Sequence, residues 1–396
     1  RLFLGKRTCR PGMAALRAYV VIAAAVVEAV EPPGIFATCE EESCPPSAVT
    51  DNGNFVGSWE ADSLVASFKG IRYAVPPLLD RRFQRAEMYN KTWGPSPRRA
   101  VQFGAPCIQN PLGDPNEHPG PEAPLPREDC LFLNVWTTKG ALPAMREDAH
   151  NSSSSEKKGK AVMFWIHGGG FCIGAGSSKW LNGTNLALQQ DVVVVTMNYR
   201  LGALGFLVTG KSGYGGMNGI HDLIVALKWV KKNIAAFGGD PDNVTIMGQS
   251  SGSSAVCILN VSPLAAGLFQ RSIMHSGPCV GKWGPLSLER GVEIYNQVLN
   301  ETRSTDLDDL KKKMGPSVQW PSYLMNNASF APYFSAYFLD NEIVPESPDA
   351  LYQKGLLNPK EIIVGSTTKD GTAAFYSTVP LLPNVSADAY DIAVQS

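Results

Sequence analysis

No stretch of the 396-residue chain reaches eighteen consecutive apolar residues, so no segment by itself reads as a membrane-spanning helix. Neither sign of charge is in excess: 35 basic residues stand against 36 acidic ones. That balance gives no basic field for nucleic acid and no strongly acidic surface. Charged residues reach only 18%, below the usual share. The eight cysteines are Cys9, Cys39, Cys44, Cys107, Cys130, Cys172, Cys257 and Cys279. None forms a CxxC pair or sits at zinc spacing with a histidine, so no metal or cofactor is implied, and each is left as a disulfide partner or a buried thiol. No internal repeat is present. What the chain does have is 44% apolar residues, enough for a sizeable core, and 38 Gly with 29 Pro, which favours many turns over a helical bundle.

The N-terminus reads as a leader. Met13 to Arg17 forms a short basic segment, Tyr19 to Val27 an apolar one, and Val27-Glu28-Ala29 a small-residue cleavage site. Eight sequons, at Asn90, Asn151, Asn182, Asn243, Asn260, Asn300, Asn327 and Asn384, support export to the ER lumen or beyond. Asn243 is set aside because it opens an expected strand. Residues 1–46 are expected to be leader and disordered tail, and residues 47–396 one folded domain. The polar stretch from Gly140 to Lys160 reads as a surface loop.

Apolar runs at Leu131–Trp136, Ala161–Ile166, Val192–Met197, Val244–Met247, Ser272–His275 and Glu361–Val364 read as strands, the second and third as buried parallel ones. Ile220, Leu223, Ile224, Leu227, Val230 and Ile234 fall at helical spacing, and Phe237-Gly-Gly-Asp-Pro241 stops that helix. Strand–helix alternation of this kind predicts an α/β sheet with parallel strands.

Two glycine-rich turns carry the chemistry. In Gly248-Gln249-Ser250-Ser251-Gly252, a strand precedes and a helix follows, as a nucleophile turn requires: only small neighbours fit around a serine held in strained backbone geometry. In His167-Gly168-Gly169-Gly170-Phe171, three glycines after a strand let backbone N–H groups converge on a developing oxyanion. No Gly-Lys-Ser/Thr follows, which excludes a phosphate loop.

The stretch Phe237 to Gly252 resembles the active-site signature of the type-B carboxylesterase family, which includes the cholinesterases. Glu128 to Trp136 is similar to that family's second signature, and Asn198 to Phe206, Phe68 to Pro77 and Gly267 to Arg271 are further likenesses in family order. The resemblance implies an α/β-hydrolase fold, a mostly parallel central sheet flanked by helices, and a serine ester hydrolase acting on a small-molecule ester. It implies Ser250 as nucleophile, the N–H groups of Gly169, Gly170 and Ser251 as oxyanion hole, and a Cys107–Cys130 disulfide. Gly365-Ser-Thr-Thr-Lys-Asp370-Gly371 is similar to the family's acid turn and places Asp370 as the acid, one methylene shorter than the usual glutamate. Asp340 resembles a structural turn aspartate.

Chain order in this fold is nucleophile, acid, then histidine. None of the five histidines, His118, His150, His167, His221 and His275, follows Asp370. The base, the C-terminal part of the fold and any membrane anchor are therefore expected beyond residue 396, and this length of chain alone is expected to be inactive. Gln249 stands in place of a usual glutamate, Ser251 of a usual alanine and Leu223 of a usual glutamine; the family's second disulfide lacks cysteines at its usual places. A cholinesterase proper and a non-catalytic adhesion ectodomain on the same scaffold are the alternatives to a general carboxylesterase.

Overall fold

Most of the apolar runs become strands of one large sheet. The structure, a computed structural model, describes residues 44–94, 96–109, 122–143, 158–210, 216–281, 284–319, 337–368 and 370. In chain order the strands are β1 (Ser47–Thr50), β2 (Gly53–Val56), β3 (Ser58–Glu60), β4 (Val65–Arg72), β5 (Arg98–Arg99), β6 (Phe132–Thr138), β7 (Lys160–Ile166), β8 (Val193–Met197), β9 (Gly239–Gln249), β10 (Arg271–His275) and β11 (Glu361–Gly365). Eight of them form a sheet in the order β11-β10-β9-β7-β8-β6-β4-β3, and β1, β2 and β5 form a separate small sheet. From β8 to β11 the pairings are all parallel, whereas β6, β4 and β3 join antiparallel. Every residue of β8 is buried, as a strand covered on both faces should be. In β7 only Val162, Phe164 and Ile166 are buried and the alternate residues are half-buried, so its continuous apolar run conceals a two-sided strand.

Helices α1 (Thr184–Gln190), α2 (Gly202–Phe206), α3 (Asn218–Asn233) and α4 (Ser251–Val261) fill the connections. The chain leaves β7 through α1 to β8 on one side, and leaves β9 through α4 to β10 on the other. Where connections from two adjacent parallel strands diverge, a crevice opens at their carboxyl ends. That switch point lies between β7 and β9, and both glycine-rich turns follow those two strands.

The helix read from Ile220 to Ile234 is α3, which buries Ile220, Leu223, Ile224, Leu227 and Val230 and also Trp229. Lys231 and Lys232 in its last turn suit the negative end of the helix dipole. Gly238 ends the following 3-10 turn at φ 82°, and a Cβ there would lie 2.2 Å from the Ala141 carbonyl oxygen, so glycine is required. Asp222 on α3 is fully buried and receives Arg200 through two side-chain bonds, at 2.9 and 2.7 Å, and through its backbone N–H at 2.9 Å. Such a pair holds the segment after β8 against α3.

Three sequence expectations differ from the structure. Residues 44–46, placed in the tail, are tied down: the Trp59 indole donates to the Cys44 carbonyl at 2.8 Å and Gly57 N–H to the Pro46 carbonyl at 2.8 Å. Asn260 is fully buried in α4, its side-chain amide donating to the Tyr352 hydroxyl at 3.1 Å, so it is no glycan acceptor in this fold. Asn90, Asn182 and Asn300 are exposed. Cys257 on α4 and Cys279 just past β10, left without partners by the sequence, form a disulfide alongside Cys107–Cys130. The leader, His118, His150, most of the polar insert, and Asn151, Asn327 and Asn384 lie outside the described residues.

Among the described residues, no helix is long and apolar enough to cross a membrane and no side-chain cluster could hold a metal ion.

Candidate active site

Ser250 caps α4 with φ 55° and ψ −128°, a conformation that a side chain rarely adopts and that costs on the order of 1–3 kcal/mol. The surroundings enforce it. A Cβ on Gly248 would lie 2.5 Å from the Gly252 carbonyl, one on Gly252 2.2 Å from the Ile166 carbonyl oxygen, and one on Gly277 2.0 Å from the Ser250 carbonyl oxygen. The Ser250 N–H donates to the His275 carbonyl at 3.0 Å, tying the turn to the end of β10.

Four serines crowd this turn, and their hydroxyls are used differently. Ser251 Oγ accepts the Phe171 N–H at 3.1 Å, Ser253 Oγ donates to the Gly277 carbonyl at 2.7 Å, and Ser254 Oγ donates to the Pro278 carbonyl at 2.8 Å. The Ser250 hydroxyl alone has no protein partner among the described residues. It is half-buried at the edge of a cleft of about 1130 Å³ over the carboxyl ends of β9, β10 and β11. The same cleft is lined by Ser276, Asp349, Tyr352 and Asp370. Ser250 follows β9 and Asp370 follows β11, two strands across, a root separation of about 10 Å. Asp370 is exposed, its N–H donating to the Thr367 carbonyl at 3.3 Å. Asp340 lies elsewhere and is fully occupied: one oxygen accepts the N–H groups of Glu342, Ile343 and Val344 at 3.2, 2.8 and 3.0 Å, and the other accepts Arg85 at 2.6 Å.

The glycine loop after β7 runs beside the serine. A Cβ on Gly168 would lie 3.2 Å from Ser250 Cβ. Gly169 has φ 106° and Gly170 φ 62°, both in the region that favours glycine. The Gly169 carbonyl accepts the N–H groups of Cys172 and Ile173, each at 3.0 Å, while the amides of Gly169 and Gly170 have no acceptor among the described residues. A Cβ on Gly170 would meet nothing within 4 Å, so its surroundings are open. As the first residue of α4, Ser251 has an N–H with no intrahelical acceptor. Three amides are thus left without partners next to one unpartnered serine hydroxyl.

None of the described histidines lines the cleft. His275 stacks on Trp165 with ring centroids 6.1 Å apart. His167 is buried against Tyr199, centroids 4.4 Å apart, with Nδ1 2.9 Å from the Gly168 carbonyl and Nε2 without a partner. Burial lowers its pKa to about 4, against a weaker opposing effect of the Gly168 carbonyl. His221 is lowered to about 3, first by burial and then by Arg85, Arg200 and Lys228. Burial pushes the Cys172 thiol up to about 12, which leaves it protonated and unreactive.

These two histidines set a stability limit in acid. Above about pH 6.5 both are neutral, folded or unfolded. Below that, the unfolded chain takes up protons that the fold refuses, so stability falls with pH from about 6.5 towards 4, by at most about 1.4 kcal/mol per pH unit for each histidine. The urea midpoint should drop between pH 7 and pH 5, and His221→Gln should flatten part of the slope. An identical midpoint at both pH values would show that neither ring is held neutral by the fold.

The sequence pointed to Ser250, the glycines and Asp370; it did not reveal the work of the Ser251 hydroxyl or the His275 carbonyl. The replacement of a usual alanine by Ser251 was the one visible signal.

Comparison with known proteins places the arrangement. The carboxylesterase family profile matches residues 45–392. Neuroligin-2 of Mus musculus is 33% identical over 359 residues, covering 84% of this chain and 42% of that protein. Para-nitrobenzyl esterase of Bacillus subtilis is 34% identical over 319 residues, covering 78% of this chain and 60% of that one. A solved para-nitrobenzyl esterase structure superposes with a TM-score of 0.71 at 31% identity, covering 83% of this chain and 64% of the other. The chain thus spans about half the length of the curated relatives it matches. With the sheet order, the two turns after β7 and β9 and this match in agreement, the chain belongs to the carboxylesterase family, on an α/β-hydrolase fold.

Proposed function

We propose that the protein carrying this chain is an exported carboxylic ester hydrolase with Ser250 as its nucleophile. The observation that carries this is the unpartnered Ser250 hydroxyl, in a strained turn, beside three unpartnered amides and in one cleft with Asp370. Ser250 Oγ attacks the ester carbonyl carbon and gives its proton to an imidazole; the carbonyl oxygen becomes an oxyanion held by the N–H groups of Gly169, Gly170 and Ser251. Collapse expels the alcohol, which takes the proton from the imidazole. Water then releases the acid by the same steps in reverse. Asp370 orients the imidazole, which belongs to a histidine following it in chain order. Two disulfides and exposed sequons at Asn90, Asn182 and Asn300 support export.

A non-catalytic adhesion ectodomain is the second function, supported by the likeness to Neuroligin-2. Treating the full-length protein with a fluorophosphonate separates the two. Covalent modification of Ser250 is expected for the hydrolase; an unmodified protein under conditions that label para-nitrobenzyl esterase would favour adhesion.

Neutral esters are expected to be preferred over choline esters. Cholinesterases hold the quaternary ammonium on an aromatic face, chiefly a tryptophan within the loop closed by the first disulfide. Between Cys107 and Cys130 this chain has no Trp, Tyr or Phe. A cation–π contact is worth about 0.5–2 kcal/mol, and Gln249 removes a carboxylate that would attract a cation. The check is kcat/KM for acetylthiocholine against an uncharged thioester of similar size. A choline preference of about a hundredfold or more, equal to about 2.7 kcal/mol, would identify a cholinesterase instead.

A further inference from the structure

Phe171 follows the glycine loop at φ 56°, a left-handed conformation unusual for a side chain of its size. Its N–H does not bond within the loop; it reaches the Ser251 hydroxyl, across from the first turn of α4. Both residues are buried, Phe171 to 1% exposure and Ser251 to 7%. Peptide planarity turns these two contacts into a constraint on the amides between them. The Gly169 carbonyl points towards Cys172 and Ile173, so the Gly170 N–H, in the same trans peptide, points the opposite way. The Phe171 N–H points at Ser251, which fixes the next peptide plane as well. The Tyr199 hydroxyl donates to the His167 carbonyl at 2.9 Å, at the start of the same loop. The loop after β7 is thus held at two points, at His167 by Tyr199 from the segment after β8 and at Phe171 by Ser251 from α4.

We propose that the Ser251 side chain is a positioning residue: by accepting the Phe171 N–H it locks the oxyanion loop onto the nucleophile turn, aiming the Gly170 amide before an ester arrives. This rests on the ester-hydrolase function proposed above. Alanine at this position would leave the Phe171 N–H buried without its acceptor and free the peptide on one side of Gly170. The Ser251 hydroxyl is therefore not a spare nucleophile beside Ser250; it faces the loop.

The test uses the full-length protein with p-nitrophenyl acetate and a trifluoromethyl ketone that mimics the tetrahedral intermediate. A loosened oxyanion donor should cost about tenfold in kcat, less than the loss from deleting one. Ser251→Ala is expected to lower kcat by that factor with KM within twofold, to weaken the ketone in proportion, and to lower the thermal midpoint by no more than a few degrees, the effect of one buried N–H without its acceptor. Ser251→Thr, which returns a hydroxyl, is expected to restore both. If Ser251→Ala does not fold, Ser251→Cys, which keeps the shape and offers only a weak acceptor, should lower kcat several-fold at constant KM. Unchanged kcat in Ser251→Ala, or in Ser251→Cys where that variant stands in, overturns the proposal while leaving the esterase intact. Wild-type protein without Ser250-dependent turnover overturns the esterase itself, and the positioning role with it.

Discussion

Ser250→Ala in the full-length protein should lower kcat by about six orders of magnitude, the loss typical of a removed serine nucleophile, while leaving stability unchanged. The stability half follows from the geometry. The Ser250 hydroxyl has no protein partner among the described residues, so its removal breaks no hydrogen bond. The strain at φ 55° comes from carrying a Cβ, and alanine carries the same Cβ. Ser250→Gly should be equally inactive but more stable, by about 1 kcal/mol, because glycine adopts this conformation without the steric cost. Turnover and urea unfolding of the two variants separate function from strain. Fluorophosphonate labelling should vanish in both. Retained turnover in Ser250→Ala would remove Ser250 from the chemistry, and a Ser250→Gly variant less stable than wild type would show that the turn is not strained.

The parts of the molecule legible in the sequence share one property: they are local. The apolar runs gave β6 to β11 to within a few residues, except at the start of β9, because buried strands must be apolar whatever they pair with. The 3.6-residue spacing gave α3. The glycines around Ser250 marked places where backbones touch, and the structure puts carbonyl oxygens 2.0 to 2.5 Å from the missing Cβ positions of Gly277, Gly248 and Gly252. What stayed hidden depends on pairing. The antiparallel half of the sheet, β6-β4-β3, looks no different in sequence from the parallel half. Gly239 to Pro241 read as part of a helix stop, yet they already belong to β9: the register slips between Lys160 and Val162, so this proline-containing stretch bulges out against β7. The Cys257–Cys279 bond needs α4 packed beside the end of β10, which no spacing reveals. The direction of the Ser251 hydroxyl is likewise a product of tertiary packing.

Asp370 provides the sharpest remaining test of the catalytic centre, because three carboxylates compete for the acid's role. Asp340 is already bound by three backbone N–H groups and Arg85, so Asp340→Asn should destabilise the turn and Arg85 contact without a specific effect on kcat. Asp349 lines the cleft, but from the helix Pro348–Gln353, with one oxygen 3.4 Å from the Gly281 N–H. Only Asp370 follows the strand two places from the nucleophile's own, at the sheet edge where an imidazole can span the gap to Ser250. Asn at this position can still hydrogen-bond but favours the wrong imidazole tautomer and loses the charge that stabilises imidazolium. Asp370→Asn should therefore lower kcat by about 10⁴-fold with little change in KM. Asp370→Glu, which restores the family's usual length, should stay within about tenfold of wild type. An undiminished rate in Asp370→Asn, with the collapse appearing in Asp349→Asn instead, would move the acid to the helix and detach it from β11.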